Sequence, residues 1–564
     1  MALWRRFAPL PHDNVAHDPV HVRTATYVVA SPDAPAHVRA QADYVCDGVD
    51  DDVEIQAAID ALPVVGGKVQ LSQGWFRTTS PISIIKQYVW LQGQGPATTI
   101  YTTTDINSID ANPGAAIGGI RISDLRIVAA EKKATGMGIR CTNLTLSHID
   151  NVSMHNQAYG IVLNDCTIIR VSKADIRETR TVVIQIDGGT DQFLHMVVAD
   201  NAVDCSTAGL RILKTESAYI DNCDFIHCGC GVRIDPPAGK TVFSCFFNIV
   251  LADNGDQEGI LLSEANGGRI LRINFVNCWA GDNTHGVNIA GGDGIRFIGL
   301  KCVLNAGHGF IFAGGKDNIL QDSDIVSNNT PDLPGFHGIE VAAGVSGFNI
   351  INNRAGNIWE DVGYQRYGIH VEPGASDNYI ITGNDLRNNV TGGLSDGGTG
   401  VNKDVSDNLG HAIHAALTTG VHSFDKSCRV FHSVAQAISS DGWVNLAFDS
   451  ERWDTDDIHH LTTNNSRLTC KTAGKYLVMG CFDFAANDTG IRKIAILRNG
   501  NTYVAVFGAP NLGAALTTSL ITSMVLNLAV NDYVELRAYQ NSGANLNVVS
   551  TAEYSPEFAM ARIA

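Results

Sequence analysis

The chain reads GVNI at 286–289, GFIF at 309–312, GIEV at 338–341 and GIHV at 368–371. Each segment is a glycine followed by alternating apolar residues, and the same pattern begins at nine glycines. They are Gly138, Gly160, Gly209, Gly231, Gly259, Gly286, Gly309, Gly338 and Gly368. The steps between them are 22 to 30 residues, apart from one step of 49 that contains a weaker copy at 183–186. A period of this kind is the sign of a repeat architecture.

A second mark lies in the middle of the repeat, where an apolar strand ends in a polar residue. Asparagine stands there at Asn151, Asn222, Asn352 and Asn384. Asparagine tolerates the left-handed backbone conformation and can stack its amide on the neighbouring turn. We therefore expect these asparagines at a tight corner of each turn.

The repeat spans residues 105–410 and decides the fold class. A unit of 22 to 30 residues with three short strands is too short for βαβ motifs and has no helical period. Stacked turns bury one continuous core and leave strand edges only at the two ends. We predict an all-β chain built on a right-handed single-stranded parallel β-helix of about eleven turns, about 4.8 Å each. A leucine-rich solenoid is the alternative, but its Leu/Asn signature is absent.

Composition narrows the classes of function. Of 564 residues, 45% are hydrophobic and 17% are charged, which excludes general disorder. Lys and Arg number 40 against 58 Asp and Glu, so the net charge is −18 and nucleic acid is disfavoured as a partner. We expect no secretory signal peptide, because no apolar run follows Arg5 and Arg6, and no transmembrane helix.

The 13 cysteines are predicted to be buried free thiols. Most lie inside apolar, strand-like segments, as Cys278 does, and a long chain with a large core does not need a disulfide framework. A metal site at Cys223, Cys228 and Cys230 is the alternative, but no CxxC pair with a distant partner pair is present.

The regions around the repeat differ in character. Residues 1–40 have no clear period and are predicted to be a connector or attachment segment. Residues 41–104 contain a short amphipathic helix and the first β-helix strands, and residues 411–430 are predicted to be a linker. Residues 431–564 show period-2 strands with hairpin turns, which indicates a jelly-roll domain of roughly eight strands for trimerisation or carbohydrate binding.

The amphipathic helix is predicted at Val53–Leu62. Asp50 and Asp51 can cap its start, Pro63 can end it, and an apolar stripe that includes Ile59 runs along one side. A short helix ahead of a run of strands makes sense as a cap, because it covers the open end of the stack.

The segment from Asp47 to Gly74 resembles the N-terminal cap of the pectate-lyase-like β-helix superfamily, and phage tailspikes and capsular depolymerases in particular. The matching residues are DGVDDD at 47–52, IQAAI at 55–59 and GGKV at 66–69. The resemblance continues through the repeats to about residue 410 and is specific for the fold. It does not imply one reaction, because lyases, hydrolases, epimerases and adhesins share it.

The catalytic motifs of that superfamily are mostly absent. There is no DPH triplet, and the triplet GHG at 307–309 lacks the paired aspartates and the Arg-Ile-Lys that accompany it in polygalacturonases. The GHG triplet is interpreted as the start of an ordinary turn.

The C-terminal region resembles the tumour-necrosis-factor and complement-type jelly rolls. The resemblance is carried by FDSERWD at 448–454, NNSRL at 464–468 and DYVEL at 532–536. Such modules are trimeric, and a β-helix followed by one is the layout of trimeric viral tail appendages. The resemblance implies a homotrimer, a polysaccharide target, a virion-tail or extracellular location, and attachment to phage tail or baseplate proteins through the N-terminal segment.

On a strand, side chains alternate between core and solvent, so the second residue after each repeat glycine should point outward. In chain order these residues are Arg140, Val162, Gln185, Arg211, Arg233, Leu261, Asn288, Ile311, Glu340 and His370. The next outward position adds Asp187, Asp235 and Glu372.

Acidic and aromatic residues gather at the last of these turns. We predict catalytic roles for Glu340, Glu372, Glu360 and Asp361, and substrate binding by Trp359, Tyr364, Tyr367 and His370. Glu340 and Glu372 should lie on neighbouring turns with Cα atoms roughly 8 Å apart. Inverting glycosidases hold their carboxyls about 6.5–9.5 Å apart, so that a water fits between them. A surface salt-bridge set with His370 and Arg366 is the alternative.

A second acidic group lies in two neighbouring loops. Its candidate catalytic residues are Asp256, Glu258 and Asp282, beside Asp253, and its candidate binding residues are Trp279 and His285. Ordinary Asp/Asn loop chemistry is the alternative, and a structural Ca²⁺ is a further use of the same oxygens. No other metal and no cofactor are predicted.

Arginines on the same face suggest an anionic ligand. Arg211 and Arg233, with Arg140, are predicted to form a basic stripe that holds a uronic or other acidic sugar. Pairing of these arginines with Asp187 and Asp235 is the alternative.

Taken together, the sequence predicts a trimeric tailspike-type protein that binds and depolymerises a polysaccharide, with glycoside hydrolysis ahead of lyase chemistry on an acidic glycan. A non-catalytic trimeric glycan-binding adhesin is the alternative. The enzyme needs paired carboxylates in an aromatic-walled groove, whereas the adhesin needs only the aromatics.

Overall fold

The computed structural model describes residues 26–358, 364–411, 426–551 and 554–563. The chain divides into two units, with the boundary after residue 414. Residues 1–25 of the predicted attachment segment and 412–425 of the predicted linker lie outside the described residues. In the part that is described, no helix is long and apolar enough to cross a membrane.

The described part of the first unit is almost entirely β-strand. Its helices are α1 (Ala36–Arg39) and α2 (Asp52–Ala61). Its strands are β1 (Thr26–Ala30), β2 (Tyr44–Val45), β3 (Gly67–Leu71), β4 (Gly74–Thr78), β5 (Ile82–Ser83), β6 (Val89–Gln92), β7 (Thr98–Thr102), β8 (Ile109–Ala111), β9 (Ile117–Gly118), β10 (Arg121–Ala129), β11 (Met137–Thr142), β12 (Leu144–His155), β13 (Tyr159–Arg177), β14 (Val182–His195), β15 (Val198–Lys214), β16 (Ala218–Ile234), β17 (Thr241–Phe243), β18 (Cys245–Asp253), β19 (Glu258–Leu262), β20 (Arg269–Leu271), β21 (Asn274–Val276), β22 (Trp279–Gly281), β23 (His285–Ile289), β24 (Arg296–Ile298), β25 (Lys301–Val303), β26 (Phe310–Phe312), β27 (Asn318–Gln321), β28 (Asp324–Val326), β29 (Ile339–Val341), β30 (Phe348–Ile351), β31 (Tyr367–Gly374), β32 (Tyr379–Thr382), β33 (Gly392–Gly398) and β34 (Lys403–Ser406).

These strands form the predicted parallel β-helix. Each turn supplies strands to three faces in a fixed order, and most strands pair in parallel with their counterpart one turn on, while β17 and β20 form a separate two-stranded sheet. The first face, which begins at the repeat glycines, includes β19, β23, β26, β29 and β31. The second face includes β21, β24, β27, β30 and β32. The third face includes β22, β25 and β28.

The stack has about 13 turns, more than predicted for 105–410, because pairing already begins at β1. The glycine-apolar pattern explains the core. Val287, Phe310, Ile339 and Ile369 follow one another in register on the first face, and each is fully buried. Along the second face, buried rings stack in the same way, as between Phe275 and its neighbours, at ring-centroid distances of 4.3 Å. One continuous core therefore runs through all the turns.

The corner between the second and third faces is made by one residue per turn in the left-handed conformation. These residues are Asp124, Asn151, Lys173, Met196, Asn222, Ile249, Asn277, Gly299, Asp322, Asn352, Gly383 and Asp407. The prediction for Asn151, Asn222 and Asn352 is confirmed. It is wrong for Asn384, because Gly383 takes the left-handed conformation and Asn384 turns inward, where its amide donates to Asn408 Oδ1 at 2.8 Å. Asn384 still stacks on the neighbouring turn, as expected.

The helix α2 covers the first turn, with Ile55, Ala58 and Ile59 buried. It ends at Ala61, one residue before the predicted end, and the next residue, Leu62, has an extended backbone because a proline follows. The predicted capping by Asp51 is wrong. The Asp51 backbone is already helical, and its carboxylate instead accepts the Gly48 and Arg77 N–H groups at 2.8 and 2.7 Å. This carboxylate ties the helix to β4 rather than closing the helix start.

The described part of the second unit is a two-sheet antiparallel sandwich. Its strands are β35 (Ser427–Phe431), β36 (Gln436–Ile438), β37 (Gly442–Asn445), β38 (Ser450–Asp454), β39 (Arg467–Thr469), β40 (Gly474–Phe484), β41 (Ile491–Arg498), β42 (Thr502–Pro510), β43 (Thr518–Leu528), β44 (Tyr533–Gln540), β45 (Leu546–Val549) and β46 (Glu557–Arg562).

A seven-stranded sheet and a five-stranded sheet enclose one apolar core that includes Tyr476, Phe482 and Leu536. The predicted two-sheet architecture is confirmed, with more strands than expected because several are only three or four residues long. The thiols of both units are free, and all except that of Cys481 are buried.

The buried face of α2 gives a test of its role as a cap. Ile59 is 1% exposed, so Ile59→Asp should place an unpaired charge in the core at a cost of several kcal/mol and give insoluble protein. Val53 on the same helix is 59% exposed, so Val53→Asp should remain soluble. The soluble fraction and the far-UV circular dichroism of both variants measure this. Normal soluble protein from Ile59→Asp would show that the helix does not seal the stack.

Candidate functional site

The second residues after the repeat glycines lie in one column on the first face, in the predicted order. The register pairs Arg211 with Arg233 and Glu340 with His370. The column is not uniformly open, because Leu261 and Glu340 are only 9% and 7% exposed. The column is therefore a partly covered surface on which a few polar groups sit in a low-dielectric environment.

Glu340, Glu372, His337 and His370 form a group that we call the acid cluster. His370 Nδ1 and Glu340 Oε2 are hydrogen-bonded at 2.9 Å, and His337 Nε2 lies 3.8 Å from the same oxygen. Glu372 extends from the next turn, and its Oε2 accepts the Ala343 N–H at 3.0 Å. The predicted neighbours Glu340, Glu372 and His370 are thus brought together, on adjacent turns.

The environment of the acid cluster favours a proton on Glu340. Burial raises the pKa of the Glu340 carboxyl, the charge of Glu372 and a hydrogen bond to its carboxyl raise it further, and the bond to His370 opposes this. The hydrogen bond to Glu340 in turn raises the pKa of His370. The Glu340–His370 pair therefore holds its shared proton more strongly than either isolated group would.

Glu340 and Glu372 lie on adjacent turns, offset by two residues along the strand as predicted, since Glu340 is the register partner of His370. The charge of Glu372 is one of the causes that raise the pKa of Glu340. The two glutamates are therefore electrostatically coupled. An inverting pair needs a gap of about 6.5–9.5 Å between its carboxyls for water.

A histidine ladder, consisting of His285, His308 and His337, leads to the acid cluster. Successive rings lie 5.5 Å apart. The Nδ1 atoms of the three accept backbone N–H groups of the next turn, from His308, His337 and Tyr367, at 3.0, 3.1 and 3.2 Å. Each neutral ring therefore carries its proton on Nε2.

Burial keeps the histidine ladder neutral. It lowers the pKa of His308 to about 3, with the neighbouring histidines adding to the effect, and lowers the pKa of His337 to about 4. The pKa of His285 is also lowered by burial, with Glu258 opposing the shift. At neutral pH His337 thus presents an uncharged imidazole beside Glu340.

His337 and the ladder as a whole were not predicted from the sequence. His308 was interpreted only as the start of a turn, and His285 only as a binding residue of the second acidic group. The pattern was present, because each of the three directly precedes a repeat glycine: Gly286, Gly309 and Gly338. Residues at this position stack from turn to turn beside the outward column.

The loop at 359–367, which contains the predicted residues Trp359, Tyr364 and Tyr367, is described only from residue 364 onward. Trp359, Glu360 and Asp361 lie outside the described residues. Tyr367 packs its ring against His337 and His370, with centroids 5.5 and 5.7 Å apart, and so lines the acid cluster. Tyr364 is held through its backbone N–H, which donates to the Asn328 carbonyl. Arg366 pairs with Asp332 at 2.7 Å, which separates it from the salt-bridge set considered with His370.

The second acidic group divides between two faces. Glu258 is the register partner of His285, the first residue of the histidine ladder, on the first face. Asn288 Nδ2 donates to Glu258 Oε1 at 3.2 Å. Trp279 belongs to the third face, where its indole N–H donates to Asp253 Oδ1 at 2.9 Å.

The other two candidates of this group do not join Glu258. Burial, and then the charge of Asp253, raise the pKa of Asp282 near the third face. Asp256 contacts Thr284 through its backbone carbonyl, which accepts the Thr284 hydroxyl at 2.8 Å. The predicted catalytic residues Asp256, Glu258 and Asp282 therefore do not converge on one point in the way the acid cluster does.

The arginines of the predicted basic stripe are paired. Arg211 makes two hydrogen bonds to the buried carboxylate of Asp235 at 2.9 and 2.8 Å, and Arg233 Nε donates to the same carboxylate at 2.9 Å. Arg140 is paired in the same bidentate way with Asp110. All three arginines are paired: Arg211 and Arg233 have Asp235 as their partner, as the alternative stated, whereas the partner of Arg140 is Asp110 and not Asp187 or Asp235.

His337, Glu340 and His370 are close enough to be considered as metal ligands, since one potential ligand atom from each lies within 4.8 Å of the others. A metal would need the Nε2 lone pair of His337. The Nδ1 atom of that ring already accepts the Tyr367 N–H, so Nε2 carries the proton and acts as a donor. These residues therefore suit proton transfer better than metal binding.

Comparison with known proteins gives only distant similarities. No protein-family model matches the chain, and no curated protein matches it. The A-module of the mannuronan C-5 epimerase AlgE4 from Azotobacter vinelandii is 17% identical over 64% of this chain and 97% of that module, with a TM-score of 0.46. Tailspike protein 3 of bacteriophage CBA120 is 14% identical over 64% of this chain and 58% of its own, with a TM-score of 0.40.

For the second unit, the globular domain of zebrafish complement 1qA is 14% identical over 24% of this chain and 93% of that domain, with a TM-score of 0.18. At TM-scores below 0.5 these similarities carry no argument about activity. The fold rests on the strand register described above.

The histidine ladder predicts a loss of stability in acid. The pKa of a histidine is near 6.5 in the unfolded chain, whereas the pKa values of His308 and His337 in the folded chain are about 3 and about 4. Lowering the pH from 7 to about 4 should therefore reduce the free energy of unfolding, on the order of 1–3 kcal/mol per histidine. His308→Gln should flatten this dependence, and His37→Gln, an exposed change on α1, should not. Thermal melts across that pH range measure it, and an unchanged slope in His308→Gln would contradict it.

Proposed function

We propose that this chain binds a polysaccharide along its β-helix and cleaves it at the acid cluster, with Glu340 as the proton donor. The observation that carries the proposal is the buried Glu340 carboxyl, whose pKa is raised and which is hydrogen-bonded to His370. A carboxyl with a raised pKa keeps its proton to a higher pH, and such a proton donor is what the leaving oxygen of a glycosidic bond needs.

In hydrolysis, Glu340 gives its proton to the glycosidic oxygen as the C–O bond breaks. A water molecule then adds to the anomeric carbon and releases a proton to a carboxylate. Glu372 is proposed as the neighbouring charge that helps to keep the proton on Glu340, because that charge raises the pKa of Glu340. Glu372, Glu360 and Asp361 are the candidates for the second carboxylate.

Elimination by a lyase is a second candidate, favoured by the neutral imidazole of His337 beside Glu340. In that reaction a base takes the proton from the carbon next to a sugar carboxylate, the adjacent C–O bond breaks, and the leaving oxygen takes the Glu340 proton. His337 carries its proton on Nε2, because its Nδ1 accepts the Tyr367 N–H, and it therefore serves as a neutral donor to the sugar carboxylate while another group is the base. Tyr367, packed on the same ring, is a further proton carrier.

The product distinguishes the two reactions. A panel of bacterial polysaccharides is incubated with the full chain, and new reducing ends are measured together with ultraviolet absorbance. Both reactions yield reducing ends, but only elimination leaves an unsaturated, ultraviolet-absorbing sugar. If a glycan binds but no new reducing ends form, the non-catalytic adhesin is favoured over both the hydrolase and the lyase.

Removal of the proton donor gives the direct test. On a cleaved substrate, Glu340→Gln should lower turnover by at least about a hundredfold while glycan binding and the assembly state stay unchanged. Glu131→Gln is the matched control, because Glu131 is exposed on the surface.

Glu372→Gln separates the two glutamates. It removes a charge that raises the pKa of Glu340, so the loss of activity at high pH should begin at a lower pH. Near-wild-type rates in Glu340→Gln would place the chemistry elsewhere, and Asp256, Glu258 and Asp282 would be tested next.

A homotrimer formed through the second unit is part of the proposal. The strands β42 and β43 expose large apolar side chains: Val506 is 54% exposed, Phe507 50%, Ile521 65% and Val525 51%. Met479 on β40, 42% exposed, lines a cavity of about 400 Å³ together with Ile521. An apolar surface of this kind is uncommon on a monomer and is typical of a face covered by another copy.

Attachment of residues 1–40 to a virion tail is proposed from the resemblance alone. A polysaccharide-binding trimer at that position would act outside the host cell.

The assembly is tested by light scattering at micromolar concentration. The wild-type chain should have three times the 60.3 kDa mass of one chain, and Ile521→Asp should reduce it to the mass of a monomer. Val530→Asp is the control, because Val530 is 53% exposed on the same unit but lies in a turn. A monomeric wild-type chain would exclude the trimer.

A further inference from the structure

Two arginines of the first unit line one cavity without a carboxylate partner. The cavity has a volume of about 820 Å³, and its lining includes Arg272, Arg296, Asn274 and Phe243. Among the residues that the structure describes, neither guanidinium forms an ion pair. This contrasts with the paired arginines of the first face, and it is unusual in a chain of net charge −18.

The acidic groups in this cavity do not cancel the two arginines. Asp293 lines it as well, but Arg269 Nη2 lies 3.2 Å from Asp293 Oδ2 and neutralises it. Asp317 is the other carboxylate of the lining. Two guanidinium groups thus face a single unpaired carboxylate, which leaves the cavity net positive and still provides an acceptor for hydroxyl groups.

Aromatic rings adjoin the cavity. Phe243 is 37% exposed, and the Arg272 guanidinium carbon lies 5.9 Å from the centre of its ring. On the second face, Phe193, Tyr219 and Phe246 stack with centroids 5.0 and 5.6 Å apart and nearly parallel planes.

This stack of rings leads into the cavity. On the next turn the register partner of Phe246 is Asn274, so the stack of rings ends there. One turn further on, the register partner of Asn274 is Arg296. Apolar ring surface next to planar donors is the combination by which proteins hold sugars that carry a charge.

The surface is long enough for a polymer. A second cavity of about 590 Å³ shares the Phe243 wall and is lined on its far side by Lys214, Lys240 and Glu216. Lys214 is paired with Asp165 at 3.2 Å, whereas Lys240 makes no ion pair within the described ranges. Basic groups on both sides of one exposed ring fit successive units of a chain better than an isolated small molecule.

We propose that these cavities bind an acidic polysaccharide, with Arg272 and Arg296 holding the carboxylate of one sugar unit and Phe243 stacking on a sugar face. This rests on the proposed function only in taking a polysaccharide as the ligand, and it names the class as uronate-containing. A guanidinium fork matches a carboxylate in a planar, bidentate manner, and the pair is stronger where solvent is partly excluded. The chain thereby binds the charged group of the sugar at a place separate from the acid cluster.

The test is affinity electrophoresis of the full chain in gels containing polygalacturonate, hyaluronate or alginate, with dextran as the neutral glycan. At least one uronate polymer should retard the wild-type chain, and dextran should not. Arg272→Gln and Arg296→Gln should each weaken the apparent affinity about tenfold or more. Phe243→Ala should weaken it as well. Arg39→Gln is the matched control, because Arg39 is exposed on α1 and the change in net charge is the same.

Three results would overturn this inference: no retardation by any of the uronate polymers, equal retardation by dextran, or unchanged affinity in both arginine variants. Circular dichroism of each variant separates loss of binding from loss of fold. Cleavage is measured independently through new reducing ends. If retardation depends on the arginines but no glycan is cleaved, this inference holds and the catalytic proposal fails. If a neutral glycan is cleaved but no such retardation occurs, the catalytic proposal holds and this inference fails.

Discussion

In-register parallel pairing between successive turns is the constraint on which the rest of this structure depends. Since every strand aligns with its counterpart one turn on, a residue type that recurs at one position becomes a continuous column along the rod. Val287, Phe310, Ile339 and Ile369 form a column of core residues in this way, and Glu340 is placed against His370 by the same rule. Core and candidate site are therefore consequences of one pairing rule.

The same pairing rule determines which hydrogen-bond partners the buried polar groups have. Asn384 bonds to Asn408 on the next turn, and His308 accepts the backbone N–H of His337. These bonds run from turn to turn, so a polar group in the interior need not reach the solvent. The acid cluster lies where this ladder meets the first face, and its electrostatics follow from burial that the core has already imposed. Burial raises the pKa of the Glu340 carboxyl, the hydrogen bond to His370 opposes this, and the charge of Glu372 on the adjacent turn adds to the rise.

Much of this could be predicted from the sequence, because alternation along a strand fixes which residues share a column. The order of the outward column, the neighbours Glu340 and His370 and the left-handed Asn151 all follow from local pattern. Side-chain reach could not be predicted. Register alone does not tell that Arg211 and Arg233 converge on Asp235.

The free arginines were missed for a related reason. Arg272 stands at a corner in the left-handed conformation, outside the strand pattern from which the outward column was derived. The alternation rule starts at the repeat glycine, so it gives no direction for His337, which directly precedes Gly338.

The equal height of the turns has a consequence for ligands that are themselves periodic. Arg296 follows the strand that begins at His285, and Glu340 lies two turns further on, so the two positions are offset along the rod by about 10 Å. That offset is fixed by the number of turns between the two positions, because each turn adds one interstrand spacing. A polymer that contacts both positions would need to span this distance, so its own repeat length would decide which of its units lie at the two positions.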